Sequence, residues 1–151
     1  MKTLLIVYHT GGVKTATMAQ AVERGARTEG SVNVIVKRCA DAGPEDVLAA
    51  DGLILGTPEN FGYMSGMMKD FLERVFYACE GKVNGRPYAL FVGAGQDGSG
   101  AVASVERILT GLRLRRVHDP IIGLKDLTKE TTDDCEELGA AFAAGLALGV
   151  F

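Results

Sequence analysis

The sequence predicts an α/β fold in which a five-stranded parallel sheet is covered by helices on both faces. Short apolar runs rich in β-branched residues alternate along the chain with amphipathic helical segments. The first run, Lys2–Tyr8, is continuously apolar after its lysine, as expected for a strand buried on both faces. No repeat, linker or low-complexity segment divides the 151 residues. We therefore predict one domain, 1–151, with a core of its own.

The first half of the chain supplies three strands and two helices. Strands are predicted at Lys2–Tyr8, Ser31–Lys37 and Leu53–Gly56, and helices at Thr15–Arg27 and Gly66–Ala78. The second strand alternates valines with other residues, and the first helix gathers apolar residues such as Met18 and Val22 on one stripe. Between the second and third strands, Asp41–Asp46 is predicted to be a turn or a single helical turn.

The second half of the chain continues the alternation. A turn at Gly85–Pro87 precedes a fourth strand at Tyr88–Val92, and a helix is predicted at Gly100–Gly111. A short fifth strand follows, which begins at Arg115–His118 and can extend through Pro120–Ile122. Thr131–Asp134 is predicted to cap the last helix, whose apolar tail, Leu138–Phe151, is shorter than the ~18 residues that span a bilayer.

Composition limits the classes of partner. The formal net charge is −3, so no attraction to nucleic acid or to an anionic membrane is expected. Cys39, Cys79 and Cys135 are odd in number and lack metal-ligand spacing, which is typical of free thiols in a reducing compartment. No metal site is predicted. Met1-Lys2 leads into a strand without a cleavage site, and a cytoplasmic protein is therefore expected.

Ligands of parallel sheets bind beyond the carboxyl ends of the strands, which directs attention to the loops after strands one, three and four. The first loop, Tyr8–Thr15, combines hydroxyls and glycines with a helix N-terminus, and such a segment presents backbone N–H groups to a phosphate monoester. An equal alternative is that Thr15 is only an N-cap and the glycines form a tight turn. The loop lacks the Gly-Lys-Ser/Thr spacing of a Walker A sequence.

The second loop, Thr57–Gly66, is long for a strand-to-helix connection and contains two aromatics, a proline and two glycines. Its glycines allow the backbone to approach a ligand, while Phe61 and Tyr63 could flank a planar ring. Alternatively, the aromatics cover a hydrophobic edge or a subunit contact. Glu59 and Asn60 are expected to be solvated, although the Asn60 amide could hydrogen-bond a heterocycle.

The third loop, Gly93–Gly100, contains the pattern GxGxxG between a strand and a helix, and Asp119 follows about 20 residues later. A dinucleotide fingerprint belongs in the first strand–turn–helix of its unit, with further strands after it. Here the pattern follows the fourth strand. We therefore interpret this segment as a glycine-rich ligand loop and not as a pyrophosphate site.

Three segments resemble known flavoproteins. Ile6–Val22 resembles the flavodoxin phosphate-loop signature at Tyr8, Thr10, Thr15, Ala19 and Val22. The segment GTPENFGYMSGMMKDFLER is similar to the second flavin loop of the flavodoxin-like NAD(P)H-dependent FMN reductases and quinone reductases. The third loop and its helix are similar to short members of the same superfamily. The resemblance implies a flavodoxin-like three-layer sandwich with strand order 2-1-3-4-5, in which the whole chain is one FMN-binding domain.

The resemblance also implies which residues bind FMN. The phosphate would lie on the first loop, at Thr10, Gly11, Gly12, Val13, Lys14 and Thr15. The ring would be held by the second loop, at Thr57, Pro58, Glu59, Asn60, Phe61 and Gly62. Its other side would face the third loop, at Gly95, Gln96 and Asp97. No side chain is assigned a catalytic role, since the flavin carries the reactivity.

These expectations favour a redox enzyme that takes hydride from NAD(P)H and reduces a quinone or a free flavin. One alternative is a flavodoxin-type one-electron carrier, although Gln96 and Asp97 stand where a carrier often has a stacking aromatic. The other is a flavodoxin-like module without tight FMN binding. The resembling reductases often form dimers or tetramers, so a homo-oligomer is a further expectation.

Val13 departs from the flavodoxin pattern, which has a small residue, usually glycine, at this position. A β-branched residue resists positive φ. Either the loop turns differently, or the two preceding glycines, Gly11 and Gly12, adopt the unusual dihedrals of the phosphate loop. We expect the second case, with Lys14 adding a charge-assisted contact.

Overall fold

The computed structural model describes residues 1–151, which form a parallel sheet between two layers of helices. The strands are β1 (Thr3–Tyr8), β2 (Asn33–Arg38), β3 (Gly52–Asn60), β4 (Tyr63–Met64), β5 (Pro87–Ala94), β6 (Arg115–Arg116) and β7 (Ile121–Leu124). The helices are α1 (Lys14–Arg27), α2 (Pro44–Ala49), α3 (Gly66–Cys79), α4 (Ser99–Gly111) and α5 (Lys129–Leu148). A short 3₁₀ helix, Cys39–Asp41, follows β2.

The order of the main strands is β2-β1-β3-β5-β6, with β7 also beside β5. This confirms the predicted order 2-1-3-4-5, because β4 is a small antiparallel addition to β3 and the fifth strand is divided in two. The division has a local cause. Tyr88 pairs with Arg116 and Phe91 pairs with Ile121. Between these two pairs the edge strand advances five residues, whereas β5 advances three. The extra residues include Pro120, which has no N–H for the ladder.

The structure corrects several predicted boundaries. The third strand does not end at Gly56 but continues to Asn60, because its distal end pairs with β4. The segment Asp41–Asp46, predicted as a turn or a single helical turn, contains the start of a longer helix, α2. The first turn of α2 is closed by the Asp46 carboxylate, which accepts from the Gly43 N–H at 2.9 Å. The last helix is capped by Thr128 and not by Thr131–Asp134, since the Thr128 hydroxyl accepts from the Thr131 N–H.

Alternate residues of the central strands enter two separate cores. Leu5 and Val7 face a cluster of 20 buried residues beneath α2, α3 and α4. Leu4 and Ile6 face a cluster of 17 beneath α1 and α5. This period of two follows from the pleat, and burial of both faces explains the nearly continuous apolar runs.

Glycines set the spacing of α1 and α5. A Cβ on Gly25 would overlap the Glu136 carbonyl oxygen, and a Cβ on Gly139 would overlap that of Val22. The two helices therefore approach backbone to backbone and form one tight layer under the sheet. None of the helices combines the length and apolar character required to cross a membrane.

Candidate functional site: a cleft at the carboxyl edge of the sheet

The three predicted loops meet at one edge of the sheet. β1, β3 and β5 are adjacent and parallel, so their carboxyl ends lie side by side. The His9 N–H donates to the Gly56 carbonyl at 3.1 Å, which carries the β1–β3 ladder into the first loop. A Cβ on Gly93 would overlap the buried Thr15 hydroxyl, so the start of α1 packs directly on the end of β5.

The N-terminus of α1 presents backbone donors that have no partner in the protein. No side chain caps this helix. Its first intrahelical bond runs from the Thr17 N–H to the Val13 carbonyl at 2.9 Å. Four preceding N–H groups donate to no acceptor, those of Val13, Lys14, Thr15 and Ala16. By contrast, α3 and α5 begin with hydroxyl caps. Free donors at a helix N-terminus form an environment that suits an anion.

The loop before α1 does not use the strained glycines that the sequence led us to expect. Neither Gly11 nor Gly12 has a positive φ, and Val13 has ordinary helical dihedrals of −94° and −34°. That expectation was wrong, because the turn is closed differently: the Thr10 hydroxyl donates to the Gly12 carbonyl at 2.6 Å. Val13 therefore needs no glycine-like conformation, and its side chain lies largely in solvent.

The Lys14 ammonium is held away from the free amides of α1. Its Nζ donates to the Ala94 carbonyl at 2.9 Å and to the Gly123 carbonyl at 3.3 Å. These carbonyls lie on β5 and β7, so the lysine ties the first loop to the ends of two strands. The backbone N–H of Lys14, by contrast, has no acceptor in the protein.

The segment predicted as a second loop is a β-hairpin. Asn60 pairs with Tyr63, and the two residues between them, Phe61 and Gly62, both have positive φ, at 55° and 69°. Two such residues form the type I′ turn that matches the twist of a hairpin. Gly62 adopts this conformation freely. Phe61 does not, and its ring is completely exposed. A strained, exposed aromatic at a turn is typical of a functional position.

Thr57 and Ser65 fix the base of the hairpin. The buried Thr57 hydroxyl donates to the Pro58 carbonyl at 2.8 Å and accepts from the Ser65 N–H at 3.0 Å. The Ser65 hydroxyl in turn accepts from the Met68 N–H and caps α3. Thr57 thus shapes the site from below, and the residues of the hairpin tip form its surface.

Glu59 joins the hairpin to α4. Its Oε1 accepts from the Gly98 N–H at 3.3 Å and its Oε2 accepts from the Ala101 N–H at 3.0 Å. The interpretation of Glu59 as a solvated side chain was wrong, because a half-buried carboxylate here satisfies the donors of a helix N-terminus. The contact also supports the interpretation of the GxGxxG segment, since a carboxylate occupies the position where a pyrophosphate would bind.

A cleft of about 560 Å³ lies between the hairpin and the third loop. It is lined on one side by Glu59, Phe61 and Gly62, and on the other by Gly95, Gln96, Asp97, Ser99 and Gly100. Six of these are residues that the sequence placed in a ring-binding site: Glu59, Phe61, Gly62, Gly95, Gln96 and Asp97. Asn60 is exposed beside the turn, while Thr57 and Pro58 lie deeper in β3.

The third loop contains a local hydrogen-bonded turn at Asp97 and Ser99. The Asp97 carboxylate accepts from the Ser99 N–H at 2.9 Å and from the Ser99 hydroxyl at 2.8 Å. Both bonds lower the pKa of Asp97, and the bond from the Ser99 backbone N–H has the larger effect. Gly95 and Gln96 extend beyond the sheet and are exposed.

The remaining titratable groups near this edge have structural explanations. Desolvation, followed by the positive charge of Arg38, lowers the pKa of His9. All three cysteines are free and buried. Desolvation raises the pKa of Cys39 and of Cys135 to about 12, so neither is a nucleophile at neutral pH. No group of three or more His, Cys, Asp or Glu residues is placed to hold a metal ion.

Three residues that line or support the cleft were not assigned a role from the sequence. Gly100 allows the hairpin turn to approach α4, because a Cβ there would overlap the Gly62 carbonyl oxygen. The Ser104 hydroxyl accepts from the Met64 N–H at 3.0 Å. Ser65 could have been found, since a serine immediately before an apolar helical run is a recognised N-cap signal. Gly100 and Ser104 carry no such signal.

A second groove, of about 530 Å³, lies between α3 and α4. It is lined by Leu72, Glu73, Phe76, Tyr77 and Ile108, none of which is a predicted site residue.

Comparison with known proteins agrees with the fold. A solved structure of a flavodoxin from the domain Archaea has a TM-score of 0.85 at 20% identity, covering 96% of this chain and 99% of that one. A flavodoxin, WrbA-like protein from Agrobacterium tumefaciens has a TM-score of 0.79 at 20% identity, covering 98% and 99%. The chain therefore has the flavodoxin-like α/β fold.

Sequence comparison places the chain more narrowly. A flavodoxin of Aquifex aeolicus (strain VF5) is 29% identical over 166 aligned positions, covering 99% of this chain and 90% of that protein. An NAD(P)H dehydrogenase (quinone) of Acidithiobacillus ferrooxidans is 32% identical over 113 aligned positions. The match covers 61% of this chain and 56% of that protein. The model of the NADPH-dependent FMN reductase family matches residues 40–125. The chain belongs to this family.

Phe61 provides a test of strain at the cleft. Replacing Phe61 by Asn should stabilise the FMN-free protein by about 1 kcal/mol, because asparagine tolerates the left-handed conformation. The same change should weaken FMN binding, since the aromatic lining is lost. Chemical denaturation and titration with FMN measure the two effects.

Arg113 is the matched control for Phe61. It has a φ of 59° but lies outside the cleft, in the connection between α4 and β6. Arg113→Asn should stabilise the protein similarly and leave FMN affinity unchanged. A loss of stability in Phe61→Asn would show that the aromatic ring supports the fold and is not held under strain for binding.

Proposed function

We propose that this protein binds FMN at the carboxyl edge of the sheet and acts as an NAD(P)H-dependent oxidoreductase that reduces a quinone or a flavin. The observation that carries the proposal is the pairing of two features at one edge. The unpartnered N–H groups of α1 suit a phosphate, and the cleft between hairpin and third loop suits a flat ring. Family membership supports FMN as the ligand that joins the two.

The first loop fits the phosphate of FMN. A phosphate would accept from the N–H groups of Val13, Lys14, Thr15 and Ala16 and would be favoured by the helix dipole. The space beside Gly11 and Gly12 is open, since a Cβ on either would meet no atom within 4 Å. The Thr10 hydroxyl can turn toward the same anion, because it is bonded only within the loop.

The cleft fits the ring. Backbone amides and carbonyls of the hairpin, Pro58–Gly62, would hold one edge, and the Asn60 amide can donate to or accept from a heterocycle. Gly95 and Gln96 would lie on the opposite side without a stacked aromatic, so one face stays accessible to a nicotinamide. FMN supplies the hydride acceptance and electron donation when it is bound. The residues of this chain bind it, orient it and limit water at one face.

A flavodoxin-type electron carrier is the second candidate. It is favoured by the match to the Aquifex aeolicus flavodoxin over 99% of the chain. The net charge of −3 is small for a carrier that docks electrostatically, and no aromatic of the third loop covers the cleft. Both observations favour the enzyme. The idea of a module without tight FMN binding depended on Val13, whose helical backbone removes that reason.

Val13 offers a test of the phosphate site. Its exposed side chain lies beside the free donors of α1, so a carboxylate introduced there would occupy or repel the phosphate position. Val13→Asp should weaken FMN binding by about tenfold through charge repulsion and should leave riboflavin binding unchanged. Fluorescence quenching measures both affinities.

Val13→Asn is the control, since it has the same shape without the charge. Both side chains can accept from the first turn of α1, so only the charge differs between the two variants, and Val13→Asn should bind FMN more tightly than Val13→Asp. Riboflavin binding as tight as that of FMN in the unmodified protein would contradict the phosphate assignment.

Steady-state oxidation of NADPH and NADH tests the enzyme directly. The FMN-loaded protein should oxidise at least one of them in the presence of a soluble benzoquinone, at a rate well above that of an equal concentration of free FMN. A rate equal to that of free FMN, together with tight FMN binding, would contradict the enzyme and support the carrier.

A further inference from the structure

Glu59 lies where the two walls of the cleft meet. It is the eighth residue of β3, directly before Asn60, and it pairs with Met64 of β4. Its carboxylate reaches the N–H groups of Gly98 and Ala101, which follow it by 39 and 42 residues. Among the hydrogen bonds of the structure, this side chain is the one that links the hairpin to the third loop.

The N-terminus of α4 depends on this contact. Its N-cap residue, Gly98, has a φ of 77° and no side chain with which to accept from the first turn. The cap is therefore supplied from a different strand. Two further contacts reinforce it: the Met64 N–H donates to the Ser104 hydroxyl, and Gly100 lets the Gly62 carbonyl approach the helix.

We propose that Glu59 is a positioning residue for the flavin. Its hydrogen bonds hold the hairpin against the N-terminus of α4, and this contact sets the width of the cleft and the orientation of the hairpin backbone. This inference rests on the proposed function and deepens it. The resemblance implied that Glu59 contacts the ring directly. We infer an indirect role instead, because both of its carboxylate oxygens already accept from N–H groups at the N-terminus of α4.

The charge of the Glu59 carboxylate should also affect the midpoint potential of FMN bound in the cleft. It is a fixed negative charge in the wall of the cleft, partly balanced by the positive end of α4. Negative charge near a flavin disfavours added electrons. Neutralising Glu59 should therefore shift the midpoint potential of bound FMN to a more positive value.

Glu59→Gln is the decisive variant, because it keeps the size of the side chain and removes one acceptor. The glutamine side chain keeps one acceptor oxygen, but its NH2 group cannot accept, so either the Gly98 or the Ala101 N–H loses its partner. Asp46→Asn is the matched control: the Asp46 carboxylate also closes a helix N-terminus, that of α2, and α2 does not line the cleft. Both variants should lower the melting temperature of the FMN-free protein.

Only Glu59→Gln should alter the cleft. In the FMN-free protein, amide exchange at Gly98 and Ala101 should quicken, whereas Asp46→Asn should leave it unchanged. The Kd for FMN should rise about tenfold in Glu59→Gln, as expected for loss of a hydrogen bond to a charged group, and should stay within about twofold in Asp46→Asn. The midpoint potential should move only in Glu59→Gln.

Three results would overturn the inference. Unchanged amide exchange would show that no clamp exists. An unchanged Kd with a lowered melting temperature would show that Glu59 supports the fold alone. Equal losses of affinity in both variants would indicate general destabilisation. Failure of the unmodified protein to bind FMN would overturn the proposed function itself, which separates that outcome from the other three.

Discussion

The contact between the β3–β4 hairpin and the N-terminus of α4 determines the shape of the candidate site. The cleft has a wall from each element, and the two walls are separated in sequence by more than 30 residues. Glu59 bonds the backbone of α4, and Gly100 lets the turn approach it. Without that contact, a two-stranded hairpin this short would have little stability of its own. The arrangement turns a flexible connection into a defined surface.

The site departs from local preferences in two places, as functional sites often do. Phe61 holds an exposed ring in a left-handed conformation, and α1 begins without a cap. Each costs free energy in the FMN-free protein. Their common location at the carboxyl edge of the sheet gives both costs a single explanation, since a bound phosphate would satisfy the donors and a bound ring would contact the turn.

The fold was predictable because short stretches of the sequence suffice to identify its strands and helices. Alternating apolar strands and amphipathic helices determined the element order, and the resemblance supplied the strand order that the structure confirms. The hairpin was missed because β4 has only two residues and no period to detect. The Glu59–α4 contact spans about 40 positions and leaves no pattern in a single sequence. The dihedrals of Gly11 and Gly12 were wrongly predicted, because the Thr10 hydroxyl closes the loop and neither glycine has a positive φ.

The proposed function requires one ligand, FMN, to span the start of α1 and the cleft between the hairpin and the third loop. Backbone amide shifts recorded by NMR while FMN is added test it most directly. We expect the largest changes at Val13–Ala16, Glu59–Gly62 and Gly95–Asp97 together. Changes confined to the groove between α3 and α4, around Phe76 and Ile108, would contradict it.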